Sequence, residues 1–187
     1  MSRTLLRLIG VVALVAPAIH VATDVLEWLA HGFTPLQLWL SYLAFVAMPA
    51  LFLGLYAAQR PQIEAFGLVG ALLYGAAFIY FAHTALYALA ERIATYAALW
   101  ARLGALYTLH GGLMILGGLL FGGASLRARR LPRWTALAFL LGIALNLILG
   151  LLPTPEILQT AGSTLRNAGV MGMGWALLAR RNEEFAG

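Results

Sequence analysis

The chain has 187 residues, of which 62% are hydrophobic and only 10% are charged. Soluble domains carry about 25% charged residues, so this composition excludes a soluble globular protein and predicts an integral membrane protein. The net charge of +5 comes from arginines at the borders of apolar segments, with no basic face that carries aromatic residues, and we expect no nucleic-acid partner. The sequence contains no cysteine, which excludes disulfides and thiolate ligands.

Six segments are long and apolar enough to cross a bilayer, which takes about 20 mainly apolar residues. They are residues 5–30, 36–58, 63–89, 100–123, 134–152 and 157–179. The connections between them are short, and one of the longer ones could form a short interfacial helix over residues 91–99. We therefore expect residues 1–187 to fold as a single all-α domain, a bundle of six transmembrane helices.

The first segment ends in a stripe of ionisable side chains. His20, Asp24, Glu27 and His31 are four, three and four residues apart, so a helix places them within an arc of roughly 60°. Residues 5–21, in which the stripe begins at His20, are otherwise almost wholly apolar, with Arg7 as the one charge. Such a stripe indicates either a functional site inside the membrane or a helix that is leaving it.

The later segments bring further polar residues to a similar depth. His83 lies near the end of the third segment with Tyr80 on the same face, and His110 follows Tyr107 near the start of the fourth. Asn146 is the main polar residue of the fifth segment. The sixth segment carries Gln159, Thr160, Ser163, Thr164, Arg166 and Asn167. Because ionisable groups are costly to bury in hydrocarbon, their gathering at one level predicts a single site.

The placement of the arginines predicts the orientation of the chain. With six spans, one side of the membrane receives Arg3, Arg7, Arg60, Arg127, Arg129, Arg130, Arg133, Arg180 and Arg181. Only Arg92 and Arg102 fall near the other side. The positive-inside rule then puts both termini in the cytoplasm (N-in/C-in), and the polar site faces the periplasmic or extracellular side of a bacterial inner membrane.

The donors in this site are of the kinds that bind a divalent metal ion such as zinc. The predicted ligands are His20, His83, His110 and Asp24. Asp24 or Glu27 would serve as general base or ligand orienter, and Arg166 would bind a phosphate or carboxylate headgroup. The first functional hypothesis is therefore a membrane-embedded metal-dependent enzyme, hydrolytic or lipid-modifying, with Asp24, Glu27 and Arg166 as its catalytic residues.

A single b-type haem is the second hypothesis. His83 and His110 lie on different predicted helices at matched depth and could be the axial ligands. Tyr80 and Tyr107 would line the pocket, where they could donate hydrogen bonds or carry redox chemistry, and the two glycines at residues 111–112 could admit the porphyrin. The protein would then be an electron-transfer oxidoreductase.

The third hypothesis is not catalytic. The chain could be an accessory subunit that binds the partner subunits of a membrane complex, or a small transporter whose carboxylates and histidines relay protons. The polar residues could also simply join helices, for example through an ion pair between Asp24 and Arg166. The glycines of the fourth and sixth segments are predicted to allow close helix packing, with room for a flat cofactor as the alternative.

Overall fold

The computed structural model describes residues 1–152 and 156–183, which contain seven helices and no strand. The helices are α1 (Arg3–Ala30), α2 (Pro35–Gln59), α3 (Glu64–Ala90), α4 (Tyr96–Leu103), α5 (Ala105–Ala128), α6 (Arg133–Gly150) and α7 (Glu156–Glu183). The predicted all-α class is therefore confirmed. Within the described ranges, five of these helices, α1, α2, α3, α5 and α6, are long and apolar enough to cross a membrane, which supports a multi-pass membrane protein.

The helix ends follow local backbone chemistry. Ser2, Thr34 and Thr95 precede α1, α2 and α4, and each side-chain oxygen accepts a hydrogen bond from the backbone N–H three residues later. These caps satisfy N–H groups that have no partner inside the helix. At the other end of α1, His31 takes a left-handed conformation with φ of 52°, a common way for a helix to end. The ionisable stripe of α1 therefore stops at a true helix terminus.

The connection after α3 differs from the predicted one. The fourth apolar segment was expected to start at residue 100, but the structure has the short helix α4 over Tyr96–Leu103 and begins the long helix at Ala105. The two helices are separated by Gly104, whose φ of 51° and ψ of −124° interrupt the helical path. Leu99 of α4 is buried beside Tyr107, whereas Trp100 is exposed. This amphipathic packing is typical of a helix at a membrane interface.

The six long helices form a closed ring. The helix α1 packs against α2 and α7, and the ring continues through α2–α3, α3–α5, α5–α6 and α6–α7, with α4 outside it on α5. Neighbouring helices run in opposite directions: Gly10 of α1 faces Leu178 of α7, whereas Asp24 of α1 meets Ser163 of α7. The ring thus has one end at the start of α1 and another at the end of α1.

Glycines allow several of these helix pairs to touch at the backbone. A Cβ added to Gly117 of α5 would lie 2.4 Å from the backbone nitrogen of Tyr74 in α3, and one added to Gly142 of α6 would lie 2.3 Å from that of Arg166 in α7. Gly117 lies in the fourth segment, for which the sequence predicted this close packing, whereas Gly142 lies in the fifth segment, for which no such prediction was made. Gly112 behaves differently, because an added Cβ there would meet nothing within 4 Å.

Aromatic side chains fill the ring interior toward the end where α1 starts. This aromatic core consists of Phe52, Tyr74, Phe78, Phe121 and Phe139, each at most 1% exposed. The ring centroids of Phe52 and Tyr74 are 4.2 Å apart, and those of Phe52 and Phe121 are 4.9 Å apart. The interior at this end is therefore packed with aromatic side chains, and the buried ionisable groups lie beyond them toward the end of α1.

Candidate functional site

One group of polar side chains lies between α1 and α7. His20 is 6% exposed, and its Nε2 atom lies 3.7 Å from Oδ1 of Asp24, one turn further along α1. The other carboxylate oxygen, Oδ2, accepts a hydrogen bond from the hydroxyl of Ser163 in α7. The His20 ring is held edge-on against Phe45, with centroids 4.9 Å apart. Asp24 therefore couples a buried histidine to the neighbouring helix.

Arg166 lies one turn beyond Ser163 on α7 and is only 3% exposed. Its Nη1 atom is 3.4 Å from Oδ1 of Asn146 in α6 and 3.0 Å from the sulfur of Met114 in α5. Asn146 is itself held by α7, because its Nδ2 donates to the backbone oxygen of Gln159 at 3.0 Å. Since α5 is not a ring neighbour of α7, the guanidinium reaches across the interior of the ring.

The contacts of Arg166 are with neutral groups. Among the residues that the structure describes, its Nε has no hydrogen-bond partner, and no carboxylate lies within ion-pair distance. The ion pair between Asp24 and Arg166, which the sequence offered as an alternative, is accordingly not formed, and Asp24 lies beside His20 instead. On the same two helices, Nδ1 of His20 and Nδ2 of Asn167 are also buried without a hydrogen-bond partner among the described residues. We call His20, Asp24, Asn146, Ser163 and Arg166 the Arg166 cluster.

The second group lies between α3 and α5, near α4. The His110 ring is 5% exposed and stacks face to face on Tyr80, with centroids 4.5 Å apart and an interplanar angle of 5°. His83 is exposed on α3, close enough to His110 to interact with it electrostatically. Tyr107 lies one turn before His110, and its hydroxyl shares a hydrogen bond with that of Tyr96 in α4. The four residues predicted for a haem pocket are therefore neighbours.

Phenylalanine side chains lie between the two groups. The Phe78 ring contacts His20, the Phe81 ring contacts His110, and these two phenylalanines contact each other with centroids 5.5 Å apart. His20 and Asp24 thus belong to one group, and His83 and His110 belong to the second. Across residues 1–152 and 156–183, no three His, Asp or Glu side chains gather closely enough to hold a metal ion. The zinc site remains a prediction from the sequence, and this arrangement adds no support to it.

The remaining predicted residues lie at the edge of the site. Glu27 follows Asp24 by three residues on α1 and is half-buried, and its catalytic role remains a prediction. Met114 was not identified from the sequence, because a methionine in an apolar span gives no polar signal. The sequence does indicate that Ser163 and Arg166 lie on the same face of α7, because they are three residues apart.

Comparison of the chain with protein-family models, with curated proteins and with solved structures found no match.

Proposed function

We propose that this chain crosses the bilayer six times, with both termini in the cytoplasm and the Arg166 cluster in the half that faces the periplasm or the exterior. The sixth span is α7, which at 28 residues measures about 42 Å and closes the ring between α1 and α6. Polar residues lower its hydropathy, and two of them, Ser163 and Arg166, belong to the Arg166 cluster inside the ring. The arginine distribution in the sequence supports the orientation.

We further propose that the protein binds the anionic group of a lipid or another membrane-soluble ligand at Arg166. The observation that carries this proposal is a guanidinium that is 3% exposed and has only neutral contacts within the described chain. A charge buried in this way is unfavourable unless it is paired. A carboxylate or phosphate would supply the pairing, and a guanidinium binds both through parallel hydrogen bonds.

The neighbours of Arg166 fit this role. Asn146 holds one side of the guanidinium, and Asn167 follows on α7 with an unpartnered, buried Nδ2 donor. Asp24 carries the negative charge of the cluster. It accepts a hydrogen bond from Ser163, which lies about one turn before Arg166 on α7. A bound anion would be repelled by that carboxylate, whose Oδ1 atom lies 3.7 Å from Nε2 of His20. Asp24 therefore weakens anion binding unless it is neutralised.

The test uses oleate as the anionic probe and oleyl alcohol as its uncharged analogue, with the protein in phosphatidylcholine nanodiscs. We expect oleate to raise the unfolding temperature of the wild type, because a ligand stabilises the state that binds it, and oleyl alcohol to have little effect. Arg166→Met should abolish the oleate response, and Asp24→Asn should strengthen oleate binding several-fold, since it removes the repulsion. Equal responses to the two probes, or an unchanged response in Arg166→Met, would contradict the proposal.

The metal-dependent enzyme and the b-type haem protein are tested on the same preparation. Elemental analysis reports zinc or another divalent metal, and an intense Soret band reports haem ligated by His83 and His110. A role as an accessory subunit would be revealed by partner subunits that copurify in mild detergent. None of these outcomes depends on the oleate response, so the anion site and the cofactor hypotheses are judged separately.

A further inference from the structure

A basic cavity opens at the opposite end of the ring from the Arg166 cluster. It has a volume of about 420 Å³ and is lined by Gly123, Leu126, Arg127, Arg129 and Arg133. These residues come from the end of α5, the connection that follows it and the first residue of α6. Three guanidinium groups thus border one concave surface at the end of the helices.

The charge of this cavity is only partly neutralised. Arg127 is paired with Glu64 of α3, with 2.5 Å between Nη2 and Oε2. Arg129 and Arg133 have no carboxylate within 4.0 Å among the residues that the structure describes. The carboxylate of Glu64 therefore neutralises one of the three guanidinium groups, and the other two can attract an anion.

An apolar groove continues from the basic cavity. A second cavity of about 240 Å³ shares Gly123 and Arg127 with the first and runs between α3 and α5. Phe66, Leu119 and Leu120 line its apolar part, and Gln62 and Glu64 line it as well. Phe66 is 65% exposed, so the groove opens toward the hydrocarbon. A Cβ added to Gly123 would meet nothing within 4 Å, which leaves space where the basic and apolar parts join.

We infer that the end of α5 binds an anionic phospholipid, with its phosphate between Arg129 and Arg133 and an acyl chain in the groove beside Phe66. Charge selects a headgroup with net negative charge, because a zwitterionic headgroup carries its own cation. The groove favours a lipid over free phosphate, because Phe66, Leu119 and Leu120 give a hydrocarbon chain apolar contacts that phosphate cannot use. This inference is independent of the function proposed for Arg166, which lies in the other half of the ring.

The test measures bound lipid by native mass spectrometry after purification from nanodiscs that contain equal amounts of phosphatidylglycerol and phosphatidylcholine. We expect the wild type to retain phosphatidylglycerol in preference to phosphatidylcholine by about tenfold. Arg129→Gln/Arg133→Gln should reduce this preference to near unity. The matched control is Arg60→Gln/Arg130→Gln, which removes the same charge from exposed positions that do not line the cavity, and it should stay within about twofold of the wild type.

A second variant tests the acyl groove without changing the charge. Gly123→Leu should fill the junction and lower phosphatidylglycerol retention several-fold, and inorganic phosphate should displace the lipid from neither this variant nor the wild type. Competition by inorganic phosphate at millimolar concentration would instead indicate a free-anion site and overturn the lipid assignment. Equal loss of preference in the two arginine pairs, in protein whose circular dichroism is unchanged, would show a general charge effect and overturn it as well.

Discussion

At the scale of single residues, Arg166 determines how the interior of the ring is interpreted. A guanidinium that only anchored helices would stabilise the fold, and its removal would be damaging. A guanidinium kept for a ligand is a liability without that ligand, because a buried charge is less favourable than an apolar side chain of similar length. The sulfur of Met114 lies 3.0 Å from Nη1 of Arg166, so a methionine side chain already packs at this position in the ring interior.

We therefore predict that Arg166→Met leaves the unfolding temperature of the ligand-free protein unchanged or raises it by a few degrees. The measurement is thermal unfolding in detergent followed by tryptophan fluorescence. Asn146→Ala is the companion variant, because it removes the oxygen that accepts from Arg166 among the described residues and should lower the unfolding temperature. A marked decrease for Arg166→Met would instead identify Arg166 as a structural anchor.

The sequence determines the depth of such residues better than their partners. Residues on a helix are separated by 1.5 Å along its axis, so counting from the helix ends placed His20, Asp24 and Arg166 at one level. Which helices are neighbours depends on packing, and the depth of a residue along its helix does not determine that α1 adjoins α7. It therefore grouped His20 with the histidines of α3 and α5, from which phenylalanine rings separate it.

At the scale of helices, glycine has two roles that the sequence does not distinguish. Gly112 and Gly117 both lie on α5, five residues apart, in an apolar run. Five residues turn a helix by about 140°, so the two positions face different directions. Gly117 faces the backbone of α3, whereas Gly112 has open space. The close packing predicted for the fourth segment thus applies to one face of α5.

We predict that Gly117→Ala destabilises the protein by about 1–3 kcal/mol, because the added methyl group would press on the backbone of Tyr74 and a backbone cannot rotate away. Gly112→Ala should be neutral or slightly stabilising, because alanine favours the helix and meets no neighbour there. The change in unfolding free energy of each variant is to be measured by equilibrium unfolding in mixed micelles. Equal effects of the two variants would mean that α3 and α5 are not in backbone contact at Gly117.

The helix boundaries show the same balance between local and tertiary information. Apolar length located α1, α2, α3 and α6 to within two residues of their observed ends. It misplaced the start of α5, because the residues of α4 are apolar enough to extend the run. The decisive feature was the conformation of Gly104, with φ of 51°. A glycine inside an apolar run is equally compatible with a helix and with a break.

At the scale of the whole molecule, a closed ring gives the protein a different chemistry at each end. Aromatic side chains fill the interior toward the start of α1, and the Arg166 cluster lies beyond them toward its end. The basic cavity lies outside the ring, at the same end as the start of α1. The orientation of the ring in the membrane determines which compartment the Arg166 cluster faces and which the basic cavity faces.

The orientation is accessible because the chain contains no cysteine, so a single introduced thiol reports its own position. We predict that Ala94→Cys, in the exposed connection between α3 and α4, reacts with a membrane-impermeant maleimide added to intact cells. Gln62→Cys, between α2 and α3, and Ala186→Cys near the C-terminus should react only after the cells are permeabilised, because the arginine-rich end is expected in the cytoplasm. Labelling of Ala186→Cys from outside would mean that α7 does not complete a sixth crossing. The opposite pattern at all three positions would invert the molecule and turn the Arg166 cluster toward the cytoplasm.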